Sequence, residues 1–451
     1  MSGYAEYREV NLPWLKAVPA HWEIRRNKNI FTEQKEIVGE RSADYTLLSL
    51  TLNGIIPRDM DGGGKFPESF DKYKIVKNGD IAFCLFDIDE TPRTVGLSGY
   101  NGMLTGAYTI MRVSNINARF IYYYYLALDN GKMLRPLYTG LRKTININTF
   151  QSTKVPVPPR EEQDQIVRFL DWKVSSINKL INIKKKEIKA IDALKRSMVS
   201  HAITRGLTAD APMKYSGVKW LGDIPAHWKI TKLRQILHPV SEKNHPEFPL
   251  LSVVREQGVI LRDVEDKEAN HNFIPDDLSG YKVVRKGQFA MNKMKAWQGS
   301  YGVSDYTGIV SPAYFIFDIA FENLEYFHYA IRSKVYVNFF AQASDGIRVG
   351  QWDLQMDKMK EIPFIVPPAD EQIAIVKHIK QALPQYDAAI EKLTEEVAVL
   401  EEYKNKIIAD TVTGKIDVRG IDIPEYEFVD EDTDNVDENL EQGADEPPEE
   451  E

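Results

Sequence analysis

The chain is written twice, and no other feature restricts its fold as much. WLKAVPAHWEI over Trp14 to Ile24 returns as WLGDIPAHWKI over Trp220 to Ile230. YKIVKNGDIA from Tyr73 to Ala82 returns as YKVVRKGQFA from Tyr281 to Ala290, and LLSL at Leu47 as LLSV at Leu250. GLRKTININTF from Gly140 is answered by GIRVGQWDL from Gly346, and VPVPPREEQDQIV, ending at Val167, by FIVPPADEQIAIV, ending at Val376. So many landmarks repeating in one order, about 203 to 209 residues apart, mean a tandem duplication with expected pseudo-twofold symmetry.

Each half reads as a mixed α/β (α+β) globular part, with strand-like alternation broken at Gly turns, then a long helix. Pro158-Pro159 and Pro367-Pro368 are helix start signals, and Glu161, Glu162, Asp370 and Glu371 fall in the first turn, where carboxylates suit the helix dipole. The second helix carries Tyr386, Ile390, Leu393, Val397, Leu400 and Ile407 in a 3-4 alternation broken at Lys404, which is the pattern of a coiled-coil seam. Subtracting 209 gives Ile177, Ile181, Ile188, Ile191 and Met198 in the first helix, with Lys184 and Lys195 at two further seam positions. Two copies of one seam pack most simply on each other, in helices of about 40 residues and on the order of 60 Å. Separate helices each covering its own domain are the alternative, and Pro384 is expected to bend or delay the second helix. The expected organisation is a first globular domain over 1–157, a central helix over 158–205, a second domain over 206–366, a distal helix over 367–418 and a tail over 419–451.

Charge is distributed unevenly. The segment 421–451 holds 15 Asp and Glu and no Lys or Arg; removing those 15 from 66 acidic residues leaves 51 against 57 basic ones, a body of +6 within a chain of net charge −9. A modestly basic body is compatible with a nucleic-acid partner, and the tail is expected to be disordered and solubilising. The single cysteine, Cys84, excludes an internal disulfide and any zinc site built on cysteine pairs, and it is expected to be a small core residue. The opening residues lack a basic segment followed by an apolar one, and no later window approaches 18 apolar residues, so a cytoplasmic protein is expected.

Signatures of catalysis are missing from the sequence. There is no phosphate-binding loop, no dinucleotide fingerprint and no Asn-Pro-Pro-Tyr/Phe or Asp-Pro-Pro-Tyr motif of an amino-group methyltransferase. His21 and His227 recur because their segment recurs, and packing beside tryptophan is favoured over metal binding. The triplet Glu265-Asp266-Lys267 is of a kind that chance supplies in a chain with 27% charged residues. No metal site and no cofactor are expected in this chain.

The ordered set WLGDIPAHW, YKVVRKGQ, the Gly-x-Arg loop and IPFIVPPADEQIAIV closely resembles the specificity subunits of type I restriction-modification systems, over roughly residues 10 to 418. That resemblance implies two target recognition domains, each followed by a conserved helix, with the helices packed as an antiparallel coiled coil and the domains at opposite ends. It implies that each domain reads one half of a bipartite double-stranded DNA target, and that the subunit itself is non-catalytic. Two methyltransferase subunits using S-adenosylmethionine and motor-nuclease subunits using ATP and Mg are the implied partners. The stiff helices would then act as a ruler between half-sites about one helical turn, roughly 34 Å, apart.

Base edges in the major groove are read by paired hydrogen bonds from Arg, Lys, Asn or Gln, while Lys, Ser and Thr hold phosphates. Candidates in the first half are Thr139, Arg142, Lys143, Thr144 and Asn146, and in the second half Ser344, Arg348, Gln351 and Trp352. A second set there is Asn292, Lys293, Lys295, Trp297 and Gln298, whose first-half counterpart, Phe83 to Glu90, is acidic and apolar. Gly-turn scaffolding explains the loops equally well, and loop drift would give the same divergence. Arg58, Lys65 and the run Gly62 to Gly64 are weaker candidates, and Tyr122 to Tyr125 read as helix packing. Rival readings are a specificity subunit serving a fused nuclease-methyltransferase, a freestanding bipartite DNA-binding regulator, a coiled-coil scaffold and, last, an enzyme.

Overall fold

The computed structural model describes residues 2–52, 54–58, 67, 69–138, 143–263, 274–275, 277–346 and 352–431. It divides into two compact units, Met1–Glu187 with Leu393–Glu451, and Ile188–Lys392. Packing thus cuts both long helices, where the sequence suggested boundaries at their ends.

In the first unit a four-stranded antiparallel sheet runs in the order Phe31–Gln34, Thr109–Val113, Ile81–Phe83, Val95–Leu97. Helix Ala118–Asn130 lies in the same core; its N-cap is Asn117, whose side chain accepts from the Arg119 and Phe120 amides. Phe31, Phe83, Tyr125 and Phe150 meet ring to ring at 4.8–6.0 Å beneath the sheet. Tyr123, Tyr124 and Tyr125 are buried, as the packing reading of the tyrosine run anticipates, and Cys84 lies in the interior.

The second unit has the same order: Leu237–Val240, Tyr314–Ile319, Phe289–Asn292, Tyr301–Val303. Its core gathers Phe289, Tyr301, Phe317, Phe327 and Phe340. The smaller strand pairs recur too: Leu48–Thr51 with Gly54–Pro57 in one unit, Leu251–Val254 with Gly258–Leu261 in the other. Beside each pair sits a glycine that admits no side chain, because a Cβ on Gly102 would strike the Thr46 carbonyl and one on Gly308 the Pro249 carbonyl.

Both long helices start one residue after their Pro-Pro pairs, at Arg160–Arg205 and Ala369–Val412. Pro384 sits inside the second and does not delay it, which leaves a bend as the other expected effect; the helix is already four turns old there, and tertiary packing outweighs the one amide proline removes. In the first unit, Ile177, Ile181, Val397 and Ile407 share one buried cluster with Leu400 packed against it. Leu393 is partly buried there. Asn178 meets Lys404 at 3.2 Å and Lys184 pairs with Glu396, so within this unit the two helix segments run antiparallel. In the second unit Met198 packs on the core, Ile188, Ile191, Tyr386 and Ile390 are partly buried, and Lys195 pairs with Asp387. The lysines at seam positions are therefore each met by a carboxylate.

Both Trp-containing repeats anchor their unit to a helix start. Trp22 donates its indole N–H to Glu162 at 2.9 Å, His21 contacts the same carboxylate at 2.7 Å, and the Tyr4 hydroxyl at 2.6 Å. Trp228 donates to Glu371 at 2.9 Å, with His227 beside it. The histidines thus bind carboxylates as well as flanking tryptophan.

The expectation of disorder from residue 419 is corrected for 419–431. These residues lie along the first unit, with the Ile421 and Ile423 side chains packed on its core, so the segment carries enough apolar and hydrogen-bonding anchors to order.

Among the described residues no helix is long and apolar enough to cross a membrane, and no three His, Cys, Asp or Glu gather as metal ligands.

Candidate nucleic-acid interface

Two segments nominated separately in the second half come together. The strand Phe289–Asn292 runs into a short 3-10 turn, Ala296–Gln298, and the strand pair Ser344–Asp345 with Asp353–Leu354 closes against it. The Leu354 amide donates to the Lys293 carbonyl at 3.1 Å, the Lys293 ammonium meets Asp353 at 3.0 Å, and the Trp297 and Trp352 rings stand 5.1 Å apart at 52°. The Trp297 indole N–H is held by the Met294 carbonyl at 3.2 Å, which fixes the ring. Met294 is 51% exposed and Lys295 is exposed. Together they make an aromatic ledge with cations on its rim, suited to apolar contact with bases and attraction to phosphates.

Other candidates in this unit have structural duties. Asn292 ends its strand by accepting from the Met294 amide at 3.1 Å and donating to the Tyr314 hydroxyl at 3.3 Å. Gln298 is partly buried in the turn. Ser344 is a correction: it is buried, and its hydroxyl donates to the Phe340 carbonyl at 2.8 Å, the usual serine bond to a preceding turn, so it does not face a ligand. Arg348 and Gln351 lie outside the described residues.

The first unit brings the equivalent segments together with different chemistry. Phe86 bridges to Thr144, the Asp87 amide donates to the Lys143 carbonyl at 2.8 Å, and the Ile145 amide to the Leu85 carbonyl at 2.7 Å. The lysine is again met by acid, now by two carboxylates and with no tryptophan beside it: Lys143 pairs with Glu90 and lies 3.5 Å from Asp89. Glu90 holds the Lys143 ammonium above its ordinary range, and the Tyr138 hydroxyl, bonded at 2.6 Å, holds the Asp89 carboxyl below its own. Asn146 is an N-cap, accepting from the Asn148 amide at 2.8 Å, so its side chain is engaged in starting helix Ile147–Ser152. Arg58 is described and engaged in contacts of its own. Thr139, Arg142, Lys65 and Gly62 to Gly64 lie outside the described residues.

Sequence reasoning did not bring out Asp353 and Tyr138, whose roles depend on the folding together of segments some 50 to 60 residues apart, nor Met294, whose carbonyl holds Trp297 three residues on. The run NKMKAWQ did hold the signal for Met294, since it lies between two nominated lysines.

Residues 22–190 match the family described as type I restriction modification DNA specificity domain. The chain is 24% identical over 446 residues to the type I restriction enzyme MjaVIII specificity subunit of Methanocaldococcus jannaschii, covering 92% of this chain and 98% of that one. It is also 24% identical over 435 residues to the putative type I restriction enzyme MjaX specificity subunit of the same organism, covering 89% and 95%. The fold is shared with a chain solved in work on complex assembly and conformational transition of the type I R-M system, at TM-score 0.55 and 13% identity over 88% of this chain and 99% of that one. With the matched domain in one half, its repeat in the other and relatives aligned along nearly the whole length, the chain is similar throughout to the DNA specificity subunits of type I restriction-modification systems.

Proposed function

We propose that this subunit reads a bipartite double-stranded DNA target, one half-site per unit, and does no chemistry of its own. The observation that supports this most directly is the matched pair of convergent segments. In each unit the same two stretches meet beside the third strand of the same four-stranded sheet and hold a lysine paired with a carboxylate, yet only one meeting point carries an aromatic ledge, and the other has a second carboxylate in its place. Equal placement with unequal chemistry is what two readers of different half-sites need, because each base pair offers its own pattern of donors, acceptors and methyl groups. Lys293, Lys295, Trp297 and Trp352 are the proposed contacts in the second unit, and Lys143 and Thr144 in the first.

The two long helices, in this reading, pair along their length as an antiparallel coiled coil, relate the duplicated units by pseudo-twofold symmetry and set the spacing between half-sites. Two methyltransferase subunits, carrying S-adenosylmethionine, flip and methylate adenine, since a base inside the stack is out of reach. Motor-nuclease subunits, carrying ATP and Mg, complete a cytoplasmic system for defence against phage.

The test is single-molecule sequencing of adenine methylation in a host expressing this chain with a cognate methyltransferase subunit, beside a host lacking only this chain. A split motif that depends on the chain is expected. Its absence, with an active methyltransferase present, would point instead to a freestanding DNA-binding protein.

A further inference from the structure

A polar stripe on the first long helix grips the end of the described chain. Ser175, Asn178, Asn182 and Lys185 follow one another at spacings of three, four and three, so they share one helix face. The Ser175 hydroxyl donates to the Glu427 carbonyl and accepts from the Val429 amide, both at 2.8 Å. Asn178 donates its side-chain amide to the Val429 carbonyl at 3.2 Å and Asn182 to the Asp430 carbonyl at 2.9 Å. These three side chains are 2, 5 and 6% exposed. They hold main-chain atoms and so select an extended conformation more than a sequence. Selection by side chain comes at the end: Lys185 and Lys404, one from each long helix, share the Glu431 carboxylate at 2.6 and 2.5 Å, and the Arg119 guanidinium lies 5.0 Å from the centre of the Phe428 ring.

The grip is also light. Residues 424–431 belong to no helix or strand, and Tyr426 and Phe428 are 39 and 46% exposed. A segment with few buried apolar contacts and no ladder of its own opens at small cost compared with the core. The stripe beneath would then expose buried-type polar groups and two lysines needing a partner.

We propose that this stripe is a binding site for an extended acidic peptide, filled in cis by residues 421–431 and able to exchange them for a segment of like chemistry on another protein: an aromatic, an aliphatic and two acidic residues in succession. The site is independent of the DNA-reading surfaces, so it stands or falls apart from the function proposed above.

The test uses the full chain and a synthetic peptide of residues 421–431 as the probe. Cys84, the single cysteine, is buried, so Val429→Cys supplies one reportable thiol. Labelling of that thiol by an aromatic disulfide reagent is expected to be at least tenfold slower than in the isolated peptide. Added cysteine-free peptide is expected to speed it to a plateau, and the same peptide with Phe428→Ala and Glu431→Lys to leave it unchanged. A fluorescein-tagged wild-type peptide is read in parallel by anisotropy against the unaltered chain, where saturable binding weakened at least tenfold by the Lys185→Ala, Lys404→Ala pair is expected. Labelling as fast as in the free peptide would overturn cis occupancy. Labelling insensitive to peptide, together with no anisotropy change, would overturn exchange.

Discussion

The duplicated Trp-Glu anchor allows one substitution to be made twice in a single molecule, with the outcome set by burial. Glu162 is 5% exposed and accepts from the indole of Trp22 and the hydroxyl of Tyr4, which are 1 and 6% exposed; His21 is its third partner. Glu162→Ala leaves two buried donors without an acceptor, each costing about 1–3 kcal/mol, so unit 1 should lose about 3–5 kcal/mol. The Glu371 side chain is 34% exposed, His227 48%, and only the Trp228 indole is buried, so water replaces most of what Glu371→Ala removes. Unit 2 should lose about 1–2 kcal/mol. The difference, about 2 kcal/mol, is roughly a thirtyfold difference in the opening equilibrium. Hydrogen exchange in rising urea, read by mass spectrometry on peptides covering Leu15–Pro19 and Asp223–Pro225, measures each unit separately. Equal losses in the two variants, or a loss below about 1 kcal/mol in Glu162→Ala, would refute the argument from orphaned donors.

Trp297→Ala and Trp352→Ala should each weaken binding to cognate duplex roughly tenfold and relax one half of the split motif only; unchanged affinity and motif would remove the ledge from the recognition surface. A seven-residue insertion at Ile188, adding about 10 Å of helix, should change the tolerated spacer or abolish binding, and an unaltered spacing preference would defeat the ruler. His328 is buried beside Arg332; burial first, and then the guanidinium, push its imidazole down to about 4, and its Nδ1 accepts from the Val303 amide. The neutral ring is the folded form, so its contribution to unit 2 is whole above about 6.5 and is lost as pH falls toward 4, a change of about 3 kcal/mol. Urea titrations from pH 7 to 4 should show that slope in the wild type and a flatter one in His328→Gln; parallel slopes would refute the assignment.

Local signals in this sequence carried far, because duplication let each half check the other. The Pro-Pro pairs mark both helix starts to within a residue, since proline favours the first helical turn. The apolar 3-4 alternation located Ile177, Ile181, Val397 and Ile407 in a core, because burial and helical period both depend on neighbours in sequence. What stayed hidden depended on distant partners. Ser344 and Asn146 have the composition of DNA contacts, but one bonds back to Phe340 and the other starts a helix, and hydroxyl and amide side chains suit either duty. Lys404 looked like a flaw in the seam until Glu431 arrived from the tail to pair with it. The acidity of that tail was visible in composition; that its first residues are held by Ser175 and Asn182 was not, because two asparagines and a serine on a helix also read as a solvated face.

The paired segments proposed to read DNA lie away from the glycine-tight strand pairs, and so carry an evolutionary freedom that those pairs lack. Gly102 and Gly308 tolerate no side chain, but the ledge of Trp297 and Trp352 and the cluster of Lys143, Asp89 and Glu90 occupy matching addresses and share only a lysine paired with a carboxylate. Under the proposed function, a change of target would require rewriting only what is displayed at the address. Exchange of these short stretches between gene copies, or between the two halves of one gene, would yield new pairs of half-sites on an unaltered frame.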